Sequence, residues 1–175
     1  ETEGHSARVG DLACRIAAEF GFDTEQRTVL RRGALLHDIG KIGVSDSILL
    51  KSGPLTDEEW RIMRQHPDIG AGIVRGIPFL AETMRIIRHH HERWNGSGYP
   101  LGLAGEEIPI NARIFAIADV FDALTSIRPY RKTSSDEEAF AYLKRNAGIL
   151  FDPSLVDVFE KLLRNGEINA LEKNE

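Results

Sequence analysis

The chain has 175 residues, 42% hydrophobic and 28% charged, a balance that suits one globular domain with a real core and excludes fibrous and disordered classes. Its formal net charge of -5 argues against a general nucleic-acid-binding surface, which would be basic, so an anionic substrate would need local cations or metal ions to hold it. Cys14 is the only cysteine, which rules out an internal disulfide and fits a reducing, cytoplasmic setting; the longest apolar stretch, IFAIADVF, is interrupted by Asp119 and is far too short to cross a bilayer.

The chain opens ETEGHSARVG, without Met and already patterned, and is read as one domain over 1–175 taken from a longer protein with an upstream regulatory region. Helical periodicity dominates from there. Val9, Leu12, Ile16 and Phe20 form a stripe that His5 extends backward, and Gly21 ends it. Asp23 with Gln26 makes a capping box for a second helix, which carries Val29, Leu30, Ala34 and Leu35 into HDIGK. GVSDSILLKSG reads as loop, then Thr56 with Glu59 caps a helix over Trp60 and Met63 that ends at His66, just before Pro67. Another helix runs from about Phe79 to the triplet His89-His90-His91, and NGSGYPLGLAGEEIP reads as loop. A helix from about Ala112 to Leu124 follows, then one capped by Ser135 with Glu138, and a last one with Pro153 in its first turn. No strand pattern or internal repeat is visible, so the expected fold is all-α.

The polar residues on these apolar faces raise the functional question. At 100° per residue, Leu80, Met84 and Ile87 set the buried direction of the triplet's helix. His91 lies about 40° from Ile87 and His90 about 60° to the other side, whereas His89 points roughly 160° away, toward solvent. His5, with Glu1 one turn before it, His37 beside Asp38, His66, and Asp119 with Asp122 take similar inward or helix-end positions. Singly, each reads as a hydrogen-bonded core residue or an ion-pair partner. Together, five histidines and two or three carboxylates exceed one closed structural site and suit two metal ions, with room for a third. Buried polar groups of this kind carry a desolvation cost that convergence on cations offsets.

His5, HDIGKIG at 37–43 and Asp119 in IADVFDAL resemble the HD superfamily of metal-dependent phosphohydrolases. HP at 66–67, HHERWNGSGYP at 90–100, SIRPYR at 126–131 and FDPSLVD at 151–157 narrow the resemblance to its HD-GYP subfamily, over essentially the whole chain. The resemblance implies that His5, His37, Asp38 and Asp119 hold one metal, that Asp38 bridges to a second completed by His66, His90 and His91, and that Glu1 supports a third. It implies iron or manganese as the working metal, with zinc or nickel able to displace them in purified material. It further implies hydrolysis of cyclic di-GMP to the linear dinucleotide or to GMP by a metal-activated hydroxide, since paired metals clamp a phosphate and acidify water.

Lys41 is then expected to reach a phosphoryl or leaving oxygen, and Arg128 and Arg131 to offer bidentate donors to phosphate or the guanine O6/N7 edge. Tyr99 is a candidate for contact with substrate, Trp94 for loop packing and Asp122 for orienting a ligand or Lys41; His89 receives no role. Asn95, Ser45 and Ser52 depart from residues common in the subfamily, and ETEGH departs from its usual ETG-x-H. The competing readings are a phosphohydrolase acting on another cyclic dinucleotide or nucleotide, and a module that binds cyclic di-GMP or a signalling partner without turnover.

Overall fold

A computed structural model of the chain describes residues 4–126 and 133–168. Among these residues the regular structure is helical, with two isolated β-bridges, Asn95 to Ala104 and Ala147 to Phe151. The all-α expectation therefore holds, and no described helix is long and apolar enough to cross a membrane.

Helix α1 (His5–Glu19) packs on α2 (Thr24–Leu36) through the expected stripe, with Val9 and Ile16 fully buried. Phe20 does not continue that stripe: the helix stops at Glu19, Gly21 turns the chain at φ 100°, and Phe20 is 43% exposed. At the start of α2, Asp23 Oδ1 accepts from the Gln26 amide at 2.8 Å while Gln26 Oε1 accepts from the Asp23 amide at 2.9 Å. The same reciprocal box forms at Thr56 with Glu59, opening α4 (Asp57–Met63), and at Ser135 with Glu138, opening α8 (Asp136–Arg145). Each such cap contributes about 1 kcal/mol. In α2 Leu30 and Ala34 are buried, but Leu35 is 61% exposed and Leu36 packs inward instead.

Three boundaries differ from expectation. The second helix ends at Leu36 and HDIGK itself carries a 3-10 turn over Ile39–Gly43, while the segment read as loop contains a one-turn helix, α3 (Asp46–Leu49), too short for periodicity to register. His66 does not end α4; it begins a separate helix, α5 (His66–Val74), with Pro67 in the first turn, where its missing N–H costs nothing. A 3-10 turn over Pro78–Leu80 precedes α6 (Ala81–His89), which stops at His89 rather than continuing through the triplet.

Helix α7 (Ile110–Thr125) is the spine, with Ile114, Phe115, Ile117 and Ala118 fully buried and with α1, α6 and α8 packed against it. Helix α9 (Pro153–Arg164) closes the core, Phe159 meeting Phe121 with ring centroids 4.8 Å apart. Its N-cap, Asp152, also takes a 2.7 Å ion pair from Arg113 of α7.

One glycine decides how the metal-ligand candidates meet. A Cβ on Gly40 would lie 1.9 Å from the His66 carbonyl oxygen and 2.5 Å from the Gly70 nitrogen. Both are backbone atoms, so the clash cannot be relieved by a rotamer change, and only glycine lets the HDIGK turn lie on the start of α5. Gly40→Ala should therefore cost about 3 kcal/mol, a fall in Tm of about 6–12 °C. Gly53→Ala, where a Cβ meets nothing within 4 Å, should stay within about 0.5 kcal/mol. Thermal denaturation of the two variants checks the contrast.

Candidate metal centre

The side chains singled out by sequence sit at helix ends that face one another. His5 opens α1, His37 caps the C-terminus of α2 with Asp38 next to it, His66 opens α5, and His90 and His91 follow the last residue of α6. Asp119 and Asp122 lie on the last turns of α7. Ligand atoms of Asp38, His66, His90 and His91 lie within 4.8 Å of one another, as do those of His5, His37 and Asp119. Asp38 joins the groups: its Oδ2 is 3.2 Å from His37 Nε2, and its Oδ1 is 3.2 Å from His66 Nε2 and 3.9 Å from His90 Nε2.

The tautomers follow from the backbone. Nδ1 of His37 donates to the Ala34 carbonyl at 2.8 Å, that of His66 to Met63 at 2.8 Å, and that of His90 to Ile87 at 2.9 Å. A carbonyl only accepts, so each Nδ1 carries the proton, and in the neutral ring each Nε2 presents a lone pair to the centre. His66 Nε2 and His90 Nε2 thus face each other at 3.3 Å with nothing to donate between them. Burial first, then the neighbouring imidazoles, pushes the His90 pKa down to about 3 and that of His91 to about 2, which disfavours a charged ring at either position. Neutral nitrogens and a shared carboxylate crowded in this way are the donor chemistry of a divalent-ion site, and the residues present fit one.

His5 is held differently. Its Nε2 lies 3.2 Å from Asp119 Oδ1 and its Nδ1 2.7 Å from Asp122 Oδ2. The hydrogen bonds to Asp119 and then Asp122 raise its pKa to about 9, and a cation on the Asp119 side would take the place of the Nε2 proton. Burial works against the Asp122 anion, but hydrogen bonds from His5 and Arg8 (Nε to Oδ1, 2.6 Å) outweigh it and hold the carboxyl below its ordinary range. Asp122 therefore orients His5, and not Lys41, whose Nζ is 2.5 Å from Asp38 Oδ2.

The GYP loop is packed onto the histidine turn. A Cβ on Gly98 would fall 2.4–2.5 Å from backbone atoms of His91, Glu92 and Arg93, so only glycine allows the approach. Tyr99 stacks on His91, centroids 4.7 Å apart at 26°, and burial pushes its phenol up to about 12. Trp94 packs as expected, its amide bonded to the Leu150 carbonyl and the Arg113 guanidinium over its ring.

His89 needs correction. It stays out of the cluster, but its side chain is 11% exposed rather than solvent-facing, with Nδ1 buried 3.8 Å from Glu92 Oε1. The chain leaves the helix after His89 and turns back, the Glu92 amide donating to the His89 carbonyl at 3.0 Å, so the helical angle no longer describes its surroundings. Glu1, Arg128 and Arg131 lie outside the described residues. Two participants escaped the sequence reading. Arg8 lies one turn after His5, a spacing that offered a signal; Glu92 is buried in the loop and its carboxylate accepts from the Leu101 and Leu103 amides at 2.8 and 3.1 Å, for which no periodic signal exists.

A sequence profile described as the HD domain matches residues 2–155. The chain is 49% identical to a cyclic di-GMP phosphodiesterase of Thermotoga maritima over 93% of its own length and 45% of that protein's. It is 45% identical to the cyclic di-GMP phosphodiesterase response regulator RpfG of Xanthomonas campestris pv. campestris, over 89% of this chain and 42% of the relative. The crystal structure of a cyclic GMP-AMP-specific phosphodiesterase from Vibrio cholerae superposes with a TM-score of 0.74 at 25% identity, covering 93% of this chain and 44% of that one. The chain belongs to the HD domain family, a family of metal-dependent phosphohydrolases, and within it to the HD-GYP subfamily. It spans less than half the length of these relatives.

The role given to Glu92 is open to a direct check. Glu92→Ala strips the acceptor from two loop amides and should cost about 2 kcal/mol, while Glu92→Gln, which keeps one oxygen, should lose about half as much. Equal melting temperatures for wild type and Glu92→Ala would contradict this.

Proposed function

We propose that this chain is a metal-dependent phosphodiesterase that hydrolyses cyclic di-GMP to the linear dinucleotide or GMP. The observation that carries the proposal is the convergence of backbone-fixed imidazole Nε2 atoms on the two oxygens of Asp38. His5, His37, Asp38 and Asp119 would hold one divalent ion and Asp38, His66, His90 and His91 the other, with Glu1 the candidate for a third. Iron or manganese is the working metal in this reading, with zinc or nickel able to replace them during preparation. Bound divalent ions supply the Lewis acidity that polarises a phosphodiester and brings the pKa of water toward neutrality.

The chain's own residues do the remaining work. Asp38 would serve both groups, its Oδ2 facing His37 and its Oδ1 facing His66. Lys41, held against Asp38, would offer its ammonium to a phosphoryl or leaving oxygen as charge develops there. Asp122 holds the His5 ring in orientation, as the second hydrogen-bond partner of a ligating imidazole does. Tyr99 covers His91, with only its rim left for substrate. Arg128 and Arg131 are assigned to the second half of the dinucleotide on motif resemblance. The response-regulator relative supports an upstream signalling domain acting on this unit, and the buried free thiol of Cys14 is in keeping with a cytoplasmic location.

The Vibrio cholerae neighbour supports one alternative, the mixed cyclic GMP-AMP dinucleotide at the same centre. Protein prepared anaerobically with iron or manganese should convert cyclic di-GMP to products resolved by chromatography, and a preference for cyclic GMP-AMP would favour the alternative. His91→Ala should lose one of the two ions and at least about 100-fold in turnover. His89→Ala should keep its metal content and remain within a few-fold of wild type. Asp122→Ala should weaken metal affinity by about 10–100-fold. Metal-loaded protein that cleaves neither dinucleotide would overturn the proposal.

A further inference from the structure

The rim of the centre carries an arginine that the motifs do not single out. Arg64 caps the C-terminus of α4, one turn after Trp60. Its guanidinium carbon lies 5.9 Å from the Trp60 ring centroid and 5.5 Å from that of Tyr99. Tyr99 in turn stacks on His91. The contacts form a continuous line from the exposed Arg64 through Tyr99 to a candidate metal ligand.

The charge environment of Arg64 differs from that of several other arginines of the chain. Arg61 pairs with Glu58 at 2.6 Å, Arg31 with Asp11 at 2.8 Å and Arg88 with Asp68 at 2.8 Å. Among the described residues no carboxylate lies within ion-pair distance of Arg64, although the chain as a whole is acidic. Two aromatic rings restrain its guanidinium without consuming its N–H edges. The result is a preorganised, uncompensated positive group beside the centre, with donors left for an anion.

A cyclic dinucleotide supplies such an anion. It carries two phosphates on opposite sides of its ring, and only one can sit at the metal centre at a time. We propose that Arg64 binds the other, non-scissile phosphate and so selects cyclic dinucleotides over simple phosphodiesters; this rests on the hydrolase reading above. Tyr99 then acts as the spacer that sets the distance between Arg64 and His91.

The test measures Arg64→Ala and Arg64→Lys in the metal-loaded protein. Arg64→Ala should raise KM for cyclic di-GMP about tenfold or more, with kcat within about threefold, as expected for loss of a charge-assisted hydrogen bond. Its preference for cyclic di-GMP over bis(p-nitrophenyl) phosphate, as a ratio of kcat/KM values, should fall by a similar factor. Arg64→Lys should recover most of the loss, because a phosphate accepts a point charge where a guanine edge needs the planar fork. An unchanged KM overturns the assignment, as does a loss confined to kcat and metal content, which would mean that Arg64 only props Tyr99. Lysine no better than alanine overturns it in favour of base recognition. Equilibrium binding of cyclic di-GMP separates the two readings. Wild type that binds without turnover sinks the hydrolase reading, while weaker binding by Arg64→Ala still supports the phosphate contact and unchanged binding refutes it; wild type that neither binds nor cleaves sinks both.

Discussion

Nitrogen lone pairs and carboxylate oxygens crowd one end of this helical bundle, and their mutual repulsion is the constraint around which the structure is organised. Three imidazoles spend their Nδ1 protons on carbonyls three residues earlier. Each bond is local and inexpensive, yet each forces Nε2 inward. In a low-dielectric pocket this arrangement is costly unless a cation offsets it. A cation bound at this centre would therefore also stabilise the fold, since the same residues serve both.

The fold delivers these groups by bringing helix ends, rather than helix faces, together. A residue at a helix start or just past a helix end can point along the bundle axis while the helix body buries its apolar stripe elsewhere. His5, His37, His66 and His90 all use this position. Such packing demands backbone approaches that a side chain would block, which explains Gly40 beneath the first turn of α5 and Gly98 against the histidine turn. Helix α7 completes the design from the core side. Its apolar residues fill the bundle interior, while Asp119 and Asp122 emerge at the centre and grip His5 from two directions.

Much of this was legible in the chain because the signals are local. The capping boxes at Asp23, Thr56 and Ser135 require only residues three apart, and all three form. The helical wheel separated His90 and His91 from His89 correctly as to the cluster, even though α6 ends at His89, because the following turn keeps the inward direction. It failed for the exposure of His89, which depends on that turn folding back. Short elements such as α3, and the break that makes His66 a helix start, left no periodic trace. Tertiary pairings were the least readable. Asp122 could be placed on an inward face, but its grip on His5 and Arg8 spans more than a hundred residues of sequence. The division of ligands into two groups and the nature of the substrate came from resemblance to a family, not from spacing.

A single centre requires Asp38 to be common to both groups of ligands. Metal stoichiometry of Asp38→Ala, set against wild type under the same anaerobic loading, addresses this most directly. If Asp38 bridges the two groups, the variant should fall from two tightly held ions to none, and the loss should exceed that from removing any single histidine. Retention of one full equivalent at wild-type affinity would show two independent sites and contradict the shared centre.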